Sequence, residues 1–420
     1  MSPAKHKFNK DLQYYKFCLY GFLKNLRLFE PFLILFFLEN NLNFLQIGVL
    51  YSIREITRNI LEIPAGIISD SLGRKKTMVF SFGFYIISFV IFFMAGGYSI
   101  FILAMIIYAL GDAFRTGTHK AMIFDYLKIK GWEDQKVYYY GHTRSWSQFG
   151  SAISALIAGV LVFYSGNYKM IFLFSAIPYI LDLIIIASYP KELDGQVARF
   201  NKGQIVLTIK KVFKDFLYSI INFKVLKSIT NLSIFTGYYR ALKDYLQPVL
   251  QALALALPIL AFLEDKQRSS VVIGLVYFII YLLTSFSSRN SGRLSSRFSF
   301  LSVPLNLTII IGLVMGVLSG LFYENNYIFL AVILFVGIYI IENLRKPIGI
   351  SYITENIKAD ILATVLSAES QFHSLIAAML APLIGFLADK LGLGNAVMIT
   401  SAILLIIGPV YLLKRKKVTT

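Results

Sequence analysis

Apolar windows of about 20 residues, the length that crosses a bilayer as a helix, recur along the chain. They predict membrane helices near 14–38, 43–69, 77–95, 99–125, 140–163 and 169–189. Polarity then rises. Residues 190–227, with Pro190, Lys191, Arg199, Lys202, Lys210, Lys211 and Lys214, form the longest polar-rich connection. An amphipathic patch over Ile205–Phe216 is expected to lie as a helix on the inner membrane surface. A second set of apolar windows follows near 228–250, 270–289, 300–322, 327–347, 361–388 and 395–413. The pattern predicts an all-α integral membrane protein with 12 transmembrane helices. Two six-helix bundles, 1–189 and 228–420, are joined by the 190–227 linker. Residues 251–268 interrupt the regularity: the run around Pro258 is apolar but too short to cross, and reads as an outer interfacial or re-entrant segment.

Composition agrees with the bilayer as solvent. With 57% hydrophobic and 15% charged residues, a water-soluble fold would lack the polar residues to cover its surface. The net charge of +18 has a membrane explanation that needs no nucleic acid. Inner connections and tails hold about two dozen Lys and Arg against about four in outer ones, the bias of cytoplasmic loops. Both termini are therefore expected in the cytoplasm, with the protein in the cell (inner) membrane. Lys5, Lys7 and Lys10 precede the first window, which is too long and too charged for a signal peptide and is expected to be retained. The single cysteine, Cys18, excludes an intrachain disulfide and a multi-cysteine metal site. No phosphate-binding GxxxxGK(S/T) loop occurs, so a process driven directly by ATP is not expected. His119, His142 and His373 fall on different helices, and neither a metal site, a cofactor nor an enzyme is expected.

Candidate chemistry lies in the ionisable residues inside the apolar runs, each costing roughly 2.5–3.5 kcal/mol at a helix centre unless it faces water or a partner. The first window holds Lys24, Arg27 and Glu30, the second Arg54, Glu55, Arg58 and Glu62, and the fourth Asp112 and Arg115. The seventh holds Arg240, Lys243 and Asp244, the tenth Glu342, Arg345 and Lys346, and the eleventh Glu369 and His373. Helical spacing places Lys24, Arg27 and Glu30 on one stripe and Arg54, Arg58 and Glu62 on another, with Glu55 about 100° away. Asp112 with Arg115, Arg240 with Asp244, Glu342 with Arg345 or Lys346, and Glu369 with His373 stand one turn apart. Nine cations (Lys24, Arg27, Arg54, Arg58, Arg115, Arg240, Lys243, Arg345, Lys346) meet six anions (Glu30, Glu62, Asp112, Asp244, Glu342, Glu369), so a chamber built from them leans positive. Such a chamber suits a carboxylate or phosphate. The competing reading is that opposite charges in each set neutralise one another and hold the helices together. Tyr238 and Tyr239, just before Arg240, are candidate cavity walls.

A weak internal repeat supports the two halves. Gly21, Lys24, Arg27 and Pro31 have counterparts in Gly237, Arg240, Lys243 and Pro248, and Gln148 and Phe149 in Gln371 and Phe372. Between the second and third windows, Gly66, Asp70, Gly73 and Arg74 fill the pattern GxxxDxxGR(R/K). This resembles the loop motif of the major facilitator superfamily, and the chain looks like a 12-span member over essentially its whole length. The resemblance implies two bundles rocking about a central site lined by helices 1, 4, 7 and 10, which carry four of the charged sets. It implies that Asp70 engages the facing bundle in the outward-facing state and that Arg74 meets a carboxylate at the end of helix 4, for which Asp125 is placed. Glu62, Gly66 and Gly73 complete this cytoplasmic gate.

The antiporter motif of helix 5 is degraded: Gly141 and Gly150 keep its first spacing, but Ser154 and Ala155 stand in place of Gly-Pro. A second loop copy at Gly292 and Arg293 has Ser296 where an acid would sit, and no binding role is carried onto residues 381–392. The expected function is secondary transport of a small anionic or zwitterionic organic solute by alternating access, coupled to protons through Asp112, Glu369, His373 or Glu30. Expected partners are the solute, protons and the bilayer, with a monomer as the working unit. The alternatives are a multidrug or amphiphile exporter of the same fold and a non-transporting membrane sensor or scaffold.

Overall fold

The computed structural model describes residues 9–194, 223–357 and 359–414, whose regular elements are all helices, with no strand among them. The first half comprises α1 (Leu12–Lys24), α2 (Leu33–Glu39), α3 (Phe44–Leu72), α4 (Arg74–Met94), α5 (Tyr98–Arg115), α6 (Thr118–Ile129), α7 (Lys136–Ser165) and α8 (Met170–Ala187). The second comprises α9 (Phe223–Leu242), α10 (Leu246–Ala256), α11 (Asp265–Ser295), α12 (Ser302–Glu324), α13 (Ile328–Asn356), α14 (Ala359–Leu391), α15 (Leu393–Ile406) and α16 (Gly408–Tyr411). The amphipathic patch expected at Ile205–Phe216 lies outside the described residues.

Eight segments, from Arg74–Met94 through Thr364–Leu391, are long and apolar enough to cross a membrane. Helix dominates because the hydrocarbon offers backbone amides no water, so their hydrogen bonds must close within each segment. Side chains such as Ile184, Phe286 and Met379 remain exposed on the outside, as lipid-facing positions do. The other four predicted windows are the broken, charged or short ones: α1 with α2, α3, α9 with α10, and α15 with α16.

The breaks correct one expectation. Lys24, Arg27 and Glu30 do not share a helical stripe, because α1 ends at Lys24 and helical turns resume only at Glu30. The pseudo-equivalent crossing breaks at Lys243–Tyr245, between α9 and α10. Side chains satisfy the freed backbone groups: the Gln247 amide accepts from Ile34 N at 2.7 Å and donates to Glu30 O at 2.8 Å. Tyr339 and Tyr179 hydroxyls donate to the Lys243 and Lys24 carbonyls at 2.6 and 3.2 Å. Residues 251–268 span the connection between α10 and α11. Helix α10 runs on to Ala256, one short turn follows at Pro258–Leu260, and α11 begins at Asp265. Arg268 closes this connector by donating to the Leu255 and Leu257 carbonyls at 2.7 and 3.1 Å.

The halves meet along α3 against α14 and α7 against α11. Glycines permit the approach: a Cβ on Gly48 would lie 2.3 Å from the Ala381 carbonyl oxygen, and one on Gly159 would lie 2.9 Å from that of Ser270. The end of the molecule away from Asp11 and Leu413, here the far end, is sealed. There Asp389 at the end of α14 accepts the Phe44 and Leu45 amides at the start of α3, at 2.9 and 2.8 Å. Lys266 also pairs with Glu39 there. At the termini end, Gly66 and Asp70 are exposed.

Candidate functional site

The helix breaks and α3 bring charges from both halves together. Glu55, 6% exposed, receives Arg54 at 3.4 Å, Arg58 at 3.1 Å and, from the other half, Arg240 at 3.3 Å. Three guanidinium groups share this one carboxylate as their partner within 4.0 Å, so at contact distance cations outnumber acids. Arg58 reaches across as well, donating to Ser374 Oγ at 2.6 Å, and Arg54 lies 4.9 Å from the centre of the Tyr51 ring. Beside it, Glu30 pairs with Lys243 of the other half at 2.9 Å and with Arg27 at 3.9 Å. Lys243 also holds Asp244 at 2.9 Å, so Asp244 pairs with its neighbour rather than with Arg240. The wall here is aromatic: Tyr239 stands edge-on to Tyr339, with ring centres 5.1 Å apart.

Glu55 is the residue the helical-stripe argument set aside. An α-helix puts it about 100° from Arg54, but long guanidinium side chains bend back from i−1 and i+3, and the third partner comes from another helix. Of the three contacts only the one from Arg240 joins the two halves, since Arg54 and Arg58 lie on α3 with Glu55.

The remaining predicted residues form three further groups. Asp112 pairs with Arg115 at 3.3 Å and accepts from Tyr85 OH at 2.5 Å, while Arg115 Nε donates to the same hydroxyl at 3.0 Å. Glu342 accepts from Thr236 at 2.9 Å, and Glu369 meets His373 at 3.2 Å. Arg345 is buried at 2% exposure, donating to the Asn231 carbonyl at 2.6 Å and lying 5.8 Å from the Phe235 ring centre. That placement gives Arg345 a packing role between α9 and α13. Lys24 points away from Glu30, into a cavity it shares with Arg115.

Of the gate residues, Arg74 pairs with Asp125. Gly73 adopts φ +94°, while Glu62 is half-buried and Gly66 and Asp70 are exposed. Sequence reading passes over Asp182 in α8: its side chain is fully buried, and neither carboxylate oxygen has a hydrogen-bond partner among the described residues. A signal for it exists, since an acid inside the most apolar of the runs is expensive wherever it points. Among the described residues no cluster of His, Cys, Asp and Glu could hold a metal.

This arrangement, with paired charges midway along helices broken at equivalent places in two halves, can bind a polar solute and let the halves move about it. The comparisons with known proteins give the family and the fold. An uncharacterised major-facilitator-type transporter, YxaM of Bacillus subtilis (strain 168), is 30% identical over 54% of this chain and 55% of its own length. The sucrose permease of Escherichia coli is 25% identical over 57% of this chain and 62% of its own length. The matches thus span about three fifths of these relatives or less. Among solved structures, a mutant form of the nucleoside transporter NupG superposes with TM-score 0.75 at 13% identity, over 95% of this chain and 98% of that one. A bacterial homologue of the human lysosomal transporter Spinster superposes with TM-score 0.71 at 14% identity, over 96% and 97%. Family and relatives are transporters, not enzymes. The model of the Major Facilitator Superfamily matches residues 19–372, and the chain belongs to that family of multi-pass membrane transporters.

Proposed function

We propose that this protein moves a small organic anion or zwitterion across the cell membrane by alternating access of two six-helix bundles, 1–189 and 228–420, with both termini in the cytoplasm. The observation that carries the reading is the cluster at Glu55. Three guanidinium groups from both bundles converge on a single buried carboxylate, so at contact distance cations outnumber acids where the bundles meet. A carboxylate or phosphate on the solute supplies a further negative charge, and guanidinium forks suit such groups. Competition between solute and Glu55 for Arg240 loosens the contact between the bundles, which links occupancy to rocking. An amphiphilic cation gains nothing from this cluster, which disfavours the multidrug reading.

Proton coupling is part of the proposal. Burial disfavours the charged form of Asp112, Glu369 or Glu30 while a neighbouring cation favours it, so displacement of that cation by the solute changes proton occupancy. His373, bonded to Glu369 at 3.2 Å, is the second carrier at that pair. The protein works as a monomer, since each chain holds both bundles. Uptake and counterflow in proteoliposomes, with a panel of labelled organic anions and an imposed pH gradient, test the reading. Accumulation of one anion class, with KM raised at least tenfold in Arg240→Gln and Arg54→Gln, is expected. Unchanged kinetics in both variants means that the cluster only holds the bundles together.

A further inference from the structure

We propose that the cavity enclosed by α1, α6 and α7 is an oxyanion subsite, separate from the Glu55 cluster, which receives the acidic group of the solute on the termini side. The proposal rests on the transport reading above for the identity of its occupant.

Its lining is rich in basic side chains, and the acids nearest to them, Asp112 and Asp182, lie behind the lining rather than in it. Lys24, Arg115, Lys120 and Arg144 border a space of about 250 Å³, and no carboxylate lines it. At the centre of the molecule Arg27, Arg54, Arg58, Arg240 and Lys243 each have a carboxylate within 4.0 Å. Here only Arg115 has one, Asp112, on the side away from the space. Among the described residues no carboxylate oxygen comes within 4.0 Å of the Lys24, Lys120 or Arg144 side chain. The Lys120 ammonium lies 5.5 Å from the ring centres of Phe124 and Tyr140, which position it without neutralising it.

A second feature points the same way. The crossing that begins with α5 breaks at Thr116 and Gly117, and α6 starts with Gly117 at φ +79° as its cap, so no side chain caps this helix. The amides of Thr118, His119 and Lys120 donate to no acceptor among the described residues, and Gly117, His119 and Lys120 border the cavity. Orphan amides at a helix start, together with its positive dipole end, attract an oxyanion. The cavity floor is held rigid: His119 stacks on Tyr20 with ring centres 3.6 Å apart, and its Nε2 meets Tyr189 OH at 3.2 Å. Size sets the role. About 250 Å³ holds a phosphate or carboxylate group and a few attached carbons, less than the ~300 Å³ at which complete small-molecule sites begin. The remainder of the solute faces the central chamber.

The test uses the full chain in nanodiscs, with inorganic phosphate as probe and isothermal titration with thermal unfolding as readouts. Phosphate is expected to bind and to raise Tm in the unaltered protein, and affinity is expected to fall at least tenfold in Lys24→Gln and in Lys120→Gln. Lys390→Gln, at the far end, is expected to bind as the parent does. Lys120 is exposed, so its variant remains informative even where Lys24→Gln unfolds. Absence of phosphate binding, or equal binding in both variants, overturns the subsite. Discs of phosphatidylcholine and of phosphatidylglycerol separate the two sources of the group. Phosphate binding lost only in phosphatidylglycerol assigns the cavity to a lipid headgroup and overturns the solute reading. Proteoliposome uptake separates this proposal from the transport reading. Organic-anion uptake with KM unchanged in both lysine variants rejects the subsite alone. Phosphate binding lost in the variants, with no organic anion carried by the parent, rejects the substrate class and keeps the subsite.

Discussion

Two stretches of the chain share the spacing of Gly66, Asp70 and Gly73: the termini end of α3 and, as Gly385, Asp389 and Gly392, the far end of α14. Their local structures match. Gly73 has φ +94° and ψ 143°, Gly392 has φ +92° and ψ 157°, and this corner of backbone space is close to glycine-only. In both, the next helix starts at once and an acid from another helix end caps it. Asp194 accepts Lys75 N at 2.8 Å, and Glu324 accepts Asn395 N at 3.1 Å. The middle residue separates them. Asp389 accepts two amides at the start of α3, whereas Asp70 is exposed and has no partner among the described residues. The same short code makes the same turn twice, but only one copy reaches across to the facing half. The lesson is that the motif encodes the turn, and the separation of the halves at that end decides whether its carboxylate is engaged.

Substitution at the two leading glycines is expected to break the symmetry most. A Cβ on Gly385 would lie 2.2 Å from the Phe44 carbonyl oxygen, whereas one on Gly66 meets nothing within 4 Å. Gly385→Ala is expected to spread α3 and α14 at the far end, read as a longer distance between spin labels at Ser99 and Asn325. Gly66→Ala is expected to leave that distance unchanged, and equal responses from the two would falsify the contrast. Next in size is Asp389→Asn, which weakens a charged cap on two amides at a cost of about 1–2 kcal/mol. The same label pair is then expected to report a five- to thirtyfold rise in the far-end-open population, with none for Asp70→Asn.

Gly73→Ala and Gly392→Ala probe what the copies share. Each places a side chain at a glycine-only backbone position, at about 1–3 kcal/mol, so both are expected to lower Tm. The drop is expected to be larger at Gly73, where a Cβ would also lie 2.9 Å from Asp194 Oδ1. The smallest effect is expected for Arg74→Gln. Its pairing with Asp125 is partly exposed, at 21% and 38% for the two side chains, and such a pair contributes below about 1 kcal/mol. A Tm change as large as that of Gly73→Ala would show that this pair is part of the turn itself.

Much of the site is legible in the chain only as an inventory. The charges at 24, 27, 30, 54, 58, 240 and 243 stand out in sequence because an ionisable group in an apolar run is costly wherever it sits. Their pairing is not legible. Helical periodicity presumes an unbroken helix, and the breaks at residues 25–29 and 243–245 separate Lys24 from Glu30 and turn Lys243 toward the other half. The same assumption sets Glu55 aside, although it is the residue on which three guanidinium groups meet. Arg345 shows the converse: in sequence it matches the other cavity cations, and in space it closes a backbone contact to Asn231.

Hydrophobic length, backbone satisfaction and the φ that only glycine adopts freely are local properties, and they set the membrane class, the apolar helical segments and the turn at Gly73 from the chain alone. The packed molecule was needed to show which charge meets which, that the far end is closed while Asp70 is exposed with no partner among the described residues, and that Lys24 and Lys120 border a cavity whose lining holds no acid. Those are relations between helices distant in the chain. They depend on crossing geometry over a few ångströms, at contacts where one methyl group or one bent helix changes the partner.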